Sequence, residues 1–92
     1  MDIFAQIAEK IIKEQEGIIG PLAVEQASKV NGLTVDWSKH EVALRGNQKD
    51  ILDNLVKQYE HLFGPASVEV CKDAVRNLAA KAPKEKLPSS LQ

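Results

Sequence analysis

Two stretches of the chain carry apolar residues at intervals of three and four positions. In residues 2–19 and again in residues 48–63, these apolar positions are interspersed with charged ones. That spacing is typical of an amphipathic helix with one face in a core. Asp2 and Asn47 stand directly before the two stretches and can cap the first turn of a helix. The pattern therefore predicts helices that begin after Asp2 and after Asn47.

A Gly-Pro dipeptide follows each stretch, as Gly20-Pro21 and as Gly64-Pro65. Proline disfavours helical backbone in the residue before it and suits the first position of a new helix. Each dipeptide is thus a structural corner that ends one helix and begins the next. We expect the second helix to reach about residue 30 and the fourth to end before Pro83.

The corners also make predictions about the side chains around them. The hydrophobic pairs 18–19 (Ile-Ile) and 62–63 (Leu-Phe) precede the glycines, and we expect them on the inside of each bend. Small residues follow the prolines, namely Ala23 in one corner and Ala66 and Ser67 in the other. These residues should allow the two helices of a corner to approach closely.

Residues 33–45 change to a period of two. Leu33, Val35 and Trp37 alternate with polar residues, and Val42 and Leu44 do so after a short polar loop. This alternation predicts a β-hairpin. The predicted fold class is therefore α+β and mainly helical, with two helices, a hairpin and two further helices in chain order.

The two helical halves are similar in sequence. At an offset of 44 residues, the ungapped window 7–30 contains these identical pairs: Ile7/Ile51, Lys13/Lys57, Glu16/Glu60, Gly20/Gly64, Pro21/Pro65, Val24/Val68 and Glu25/Glu69. The agreement indicates an internal duplication, although any two helix–Gly-Pro–helix units would share part of it. The domain prediction is a single domain over 1–81, with repeat 1 at about 2–31, hairpin 33–45 and repeat 2 at about 47–81. Residues 82–92 are polar and contain two of the four prolines, so we expect a mobile C-terminal tail.

Composition narrows the functional classes. Hydrophobic residues make up 43% and charged residues 27% of the 92 residues, and the net charge is -1. The balanced charge gives no general attraction to nucleic acid or to anionic membranes. No apolar run approaches the ~18 residues of a membrane span, and a lone cysteine fits a reducing compartment. We expect a cytoplasmic protein that does not bind a membrane.

Side chains capable of catalysis or metal binding are few and scattered. His40 falls in the predicted hairpin loop and His61 near a helix end, and neither has the spacing of a metal site. Cys71 lies on an inward helix face, where cysteine acts as a small hydrophobe. Glu25 and Glu69 recur early in the two helices that follow the prolines. Paired carboxylates facing each other in a cleft would explain them, but stabilisation by the positive end of the helix dipole is the simpler explanation. The sequence thus predicts neither an enzyme nor a cofactor.

A protein-interaction role is the leading functional prediction, as an adaptor or regulatory domain. Two strands alone are marginal in water, and their free edges can pair with a second copy. A homodimer is therefore expected, with a monomer whose short hairpin is protected as the alternative. The candidate interface residues are Val35, Trp37, Val42 and Leu44.

Two other functions remain open at this point. The first is a ligand-sensing domain with an apolar pocket between the helical corners, lined by Ile11, Leu55, Tyr59 and Cys71. The second is a nucleic-acid-binding regulator, since a helix–turn–helix arrangement invites that comparison. Acidic residues dilute the basic positions of the fourth helix, so nucleic acid is the least favoured partner.

Overall fold

The computed structural model describes residues 2–92 and confirms the predicted α+β layout, in which helices dominate and a hairpin stands between two helical pairs. Within those residues the elements are α1 (Ile3–Ile19), α2 (Leu22–Ser28), β1 (Leu33–Asp36), β2 (Glu41–Leu44), α3 (Gln48–Phe63) and α4 (Ala66–Ala79). Short 3-10 turns cover Trp37–Lys39, Lys84–Lys86 and Ser89–Leu91.

Capping side chains fix the starts of the two long helices. The backbone N–H of Ala5 donates to Oδ1 of Asp2 at 2.8 Å. The N–H of Asp50 donates to Oδ1 of Asn47 at 3.0 Å. Each bond satisfies an N–H group that has no partner within its own helix. Both predicted helix starts are confirmed.

The glycines of the two corners adopt a backbone conformation that other residues avoid. Gly20 has φ 72° and ψ −154°, and Gly64 has φ 87° and ψ −179°. A positive φ combined with ψ near 180° is accessible to glycine and to almost no other residue. Pro21 and Pro65 follow with φ of −57° and −60°, which are helical values that lead into α2 and α4.

The hydrophobic core lies between the helices and under one face of the hairpin. α1 packs against α4 and α2, and α3 packs against the same two helices. The large side chains with almost no exposed surface include Ile7, Ile11, Ile12, Leu52, Leu55, Val56, Tyr59 and Val75. These belong to the periodic apolar positions of α1, α3 and α4, so the helical period identified most of the core and failed only near the ends of α1 and α3.

Two buried hydrogen bonds join the helical pairs in a reciprocal way. The Gln15 side chain donates through Nε2 to the carbonyl of Ser67 at 3.3 Å. The Tyr59 hydroxyl donates to the carbonyl of Ala23 at 2.7 Å. Positions 15 and 59, and positions 23 and 67, are equivalent at the offset of 44 residues. The duplication stays a prediction, and this reciprocity is consistent with it.

The hairpin pairs with the register Leu33↔Leu44 and Val35↔Val42. Leu33 and Val42 are buried, while Val35 and Leu44 are partly buried against the same core. The opposite face, formed by Thr34, Asp36, Glu41 and Ala43, is exposed to solvent. The hairpin thus covers the helices with its apolar face and presents a polar face outward.

The C-terminal segment 82–92 packs onto the helices instead of standing apart from them. Leu87 is 1% exposed and Leu91 3% exposed, and the last 3-10 turn contacts α4 and α3. This packing differs from the mobile tail expected from the sequence. A mobile tail was expected because the segment is polar and contains two prolines. Leu87, Leu91 and Pro88 are nevertheless buried, and burial of their apolar surface favours packing against the helices.

Candidate interaction surface

The exposed large hydrophobic residues of the described chain all flank the two corners. They are Ile18 (62% exposed), Leu22 (39%), Leu62 (45%) and Phe63 (38%). The prediction that the pairs before the glycines fill the inside of the bends is therefore wrong for Ile18, Leu62 and Phe63. Ile19 alone packs partly against the core.

Small and hydrogen-bonded residues occupy the inside of each bend. Ala23 is fully buried and Ser67 is 6% exposed, and their carbonyls accept the bonds from Tyr59 and Gln15. These contacts bring the helix that ends at one corner against the helix that begins at the other. These contacts occupy the inside of each bend, and Ile18, Leu62 and Phe63 face outward.

The same contacts place both corners at one end of the molecule. Gln15 lies about one turn before the end of α1, and its partner Ser67 lies in the first turn of α4. Tyr59 lies about one turn before the end of α3, and its partner Ala23 lies in the first turn of α2. One helical turn rises only ~5.4 Å, so each of these contacts lies close to both Gly-Pro dipeptides. We define the corner surface as Ile18, Leu22, Leu62 and Phe63 together with the half-buried Ile19.

Exposed acidic side chains lie close in sequence to the residues of the corner surface. Glu25 and Glu69 are exposed in the first turns of α2 and α4, and Glu60 is exposed near the end of α3. His61 is the basic neighbour in the last turn of α3. Exposed large apolar groups with a polar border are the usual composition of a protein-interaction site.

The hairpin residues predicted as an interface are largely engaged inside the chain. Val42 is 5% exposed, and Val35 and Leu44 pack partly against the core. Trp37 lies in the 3-10 turn after β1, where its Nε1 donates to Oε2 of Glu16 at 2.9 Å. Its ring centroid lies 4.5 Å from that of His40. These side chains hold the hairpin on α1, and little of their apolar surface remains free.

The residues predicted to line a ligand pocket lie in the closed core. Ile11, Leu55, Tyr59 and Cys71 are each 0% exposed. The Cys71 sulfur accepts a hydrogen bond from Nε2 of Gln15 at 3.4 Å. Burial raises the pKa of the Cys71 thiol to about 11, so the thiol stays protonated at neutral pH and is a poor nucleophile. Burial likewise raises the pKa of Tyr59.

Residues 2–92 contain neither a candidate metal site nor a helix that could span a membrane. No group of three or more histidine, cysteine, aspartate or glutamate residues there could hold a metal ion. None of the helices described has both the length and the apolar character needed to cross a bilayer. Comparisons with family models, with curated proteins and with solved structures found no match to this chain.

Proposed function

We propose that the chain is a small non-enzymatic protein-interaction domain that forms a homodimer through the corner surface and acts as an adaptor or regulatory module. The observation that carries the proposal is the collection of exposed large hydrophobic side chains at one end of the molecule. Burying such residues between two proteins is favourable by roughly 25 cal/mol per Å² of apolar area. A cytoplasmic location is part of the proposal.

A second copy of the chain is the proposed partner because both corners contribute exposed apolar side chains to this surface. Ile18 and Leu62 are equivalent at the offset of 44 residues, as are Ile19 and Phe63. A two-fold dimer requires a self-complementary patch, in which each residue meets its counterpart or a neighbour of it. Ile18 from one corner and Leu62 and Phe63 from the other are exposed, so each copy presents apolar groups that can meet those of its partner.

Pairing through the hairpin edges is the competing arrangement for a homodimer. Each strand has a single partner, so one edge of each strand is free. The strands have only four residues each, and Asp36 stands directly opposite Glu41 at their outer end. Short, charged edge strands resist pairing with another chain. The corner surface is therefore the favoured interface.

The acidic residues close in sequence to the corner surface predict how salt should affect the dimer. Two copies that meet at the corner surface bring like charges from Glu25, Glu60 and Glu69 toward each other. Added salt screens this repulsion, since the screening length falls to about 8 Å at physiological ionic strength. Salt should strengthen self-association, whereas it would weaken the docking of a basic partner protein.

Light scattering coupled to size-exclusion chromatography tests the proposal. The wild-type chain should have the mass of a dimer at high micromolar concentration. The double variant Ile18→Glu with Leu62→Glu should be monomeric, because it places charges in the centre of the interface. The control variant Thr34→Glu changes the outer face of the hairpin and should remain dimeric. A monomeric wild type, or a dimer lost only in Thr34→Glu, would contradict the proposal.

A further inference from the structure

A groove separate from the corner surface runs between α4 and the C-terminal segment. Its volume is about 220 Å³, and its walls are mainly apolar. Its apolar lining residues are Ala79 and Ala80, at the end of α4, and Leu87 and Leu91, from the C-terminal segment. The volume lies below the ~300–1,000 Å³ of common ligand pockets, so the groove suits a small or slender ligand.

Basic side chains line the rest of the groove. Lys72 and Arg76 belong to α4, and Lys84 belongs to the 3-10 turn that follows it. Among the described residues, Lys72 and Lys84 form no ion pair, and no carboxylate side chain lines the groove. Arg76 pairs with Asp73, but both side chains are largely exposed to solvent. Exposed pairs of this kind contribute little, so Arg76 can turn to another anion.

Along α4, the two basic residues of the groove come before its two alanines. Positions 72, 76, 79 and 80 share one face of the helix, because residues three or four apart lie above one another. At ~1.5 Å per residue, Ala80 lies about 12 Å along the axis from Lys72. The α4 wall therefore has a cationic end and an apolar end at a distance that a short alkyl chain can span.

The end of the chain is held in place beside this groove. Nε2 of Gln92 donates to the carbonyls of Lys84 and Leu87, at 3.0 Å in each case. Leu87 and Leu91 are buried. This part of the apolar lining is thus fixed by the fold of the segment 82–92 and does not depend on a ligand.

From the groove we infer a binding site for an anionic amphiphile, namely a medium-chain fatty acid. Its carboxylate would bind the amines of Lys72 and Lys84 and the guanidinium of Arg76. Its alkyl chain would lie along Ala79 and Ala80 over the two leucines. This site does not include the corner surface, so fatty-acid binding and dimer formation can be tested independently of each other.

Isothermal titration calorimetry with decanoate, below its micelle concentration, tests the inference. Decanoate should bind saturably at one site per chain. Octanoate should bind on the order of tenfold more weakly, because two methylenes are lost from the apolar wall. Decylammonium, which has the same chain and the opposite charge, should bind more weakly still.

Two variants assign the binding to the groove. Lys72→Glu should weaken decanoate binding several-fold, and Ala80→Phe should weaken it by filling the apolar end. The control Lys13→Glu makes the same charge change on the exposed face of α1 and should bind as the wild type does. Thermal unfolding of each variant establishes that it is folded. Equal binding of decanoate and decylammonium, no saturable binding to the wild type, or full binding to folded Lys72→Glu would overturn the inference.

Discussion

Replacing Leu87 by alanine is expected to lower the free energy of unfolding by about 2–5 kcal/mol. Leu87 is 1% exposed and packs into the same cluster as the helices. The substitution removes buried methyl groups and leaves a cavity that the short 3-10 turns around it cannot readily fill. Urea unfolding followed by circular dichroism measures the change.

Lys86→Ala is the matched control, because Lys86 is adjacent in sequence and exposed. Its effect should stay within about 0.5 kcal/mol of wild type, as is usual for surface sites. If both variants unfold at the same urea concentration, the segment 82–92 does not contribute to the core. The domain would then end at residue 81, as the sequence predicted.

The combined variant Gly20→Ala with Gly64→Ala should also destabilise the fold strongly. Each glycine has a positive φ with ψ near 180°, and forcing another residue into that region costs of the order of 1–3 kcal/mol. An added Cβ would meet nothing within 4 Å at either site. The cost is therefore conformational, and the two single variants should show similar losses.

Gly17→Ala provides the control for the glycine variants. Gly17 lies inside α1, is exposed, and also has nothing within 4 Å of an added Cβ. Alanine favours helix over glycine by up to about 1 kcal/mol, so this variant should be more stable than wild type. Thermal unfolding of Gly17→Ala, of the two single corner variants and of their combination measures these changes in stability. A loss of stability in Gly17→Ala equal to that in Gly20→Ala would show that the corner conformation is not the cause.

Local signals in the sequence were sufficient for the elements of this fold. The caps Asp2 and Asn47, the period of three and four, and the switch to a period of two each reflect a short-range physical preference. Element ends were less certain: α2 ends at Ser28 instead of about residue 30, and Trp37 lies in a turn beyond β1. A difference of one or two residues is within the ordinary variation of a helix end, where the last turn frays.

Long-range contacts explain the larger errors. Adjacent apolar residues such as Ile11 and Ile12 are both buried in the middle of α1, whereas Ile18, near the end of the same helix, is exposed. Gln15 and Tyr59 reach across to the other helical pair, and their contacts occupy the inside of the bends. The packing of Leu91 likewise requires α3 and α4 together, because the last 3-10 turn contacts both helices. None of these relations is visible in a local pattern.

The sequence indicated an interface on the hairpin and not at the corner surface for a similar reason. Alternation identified Val35, Val42 and Leu44 as one apolar face that helices of the same chain could cover, but it could not show how completely they do so. The exposed residues Ile18 and Leu62 were assigned to the core because they continue the apolar stripes of α1 and α3. Exposure is a property of the assembled fold, so it became visible only there.

Site-specific photo-cross-linking most directly tests whether the corner surface joins two copies of the chain. A benzophenone amino acid would replace Leu62 in one protein and Thr34, on the outer face of the hairpin, in another. After irradiation at high micromolar concentration, position 62 should give a product of twice the chain mass. Mass spectrometry should map the link to residues around the two corners, and position 34 should give no such product. Cross-linking from position 34 alone, or none from position 62, would contradict a dimer formed through the corner surface.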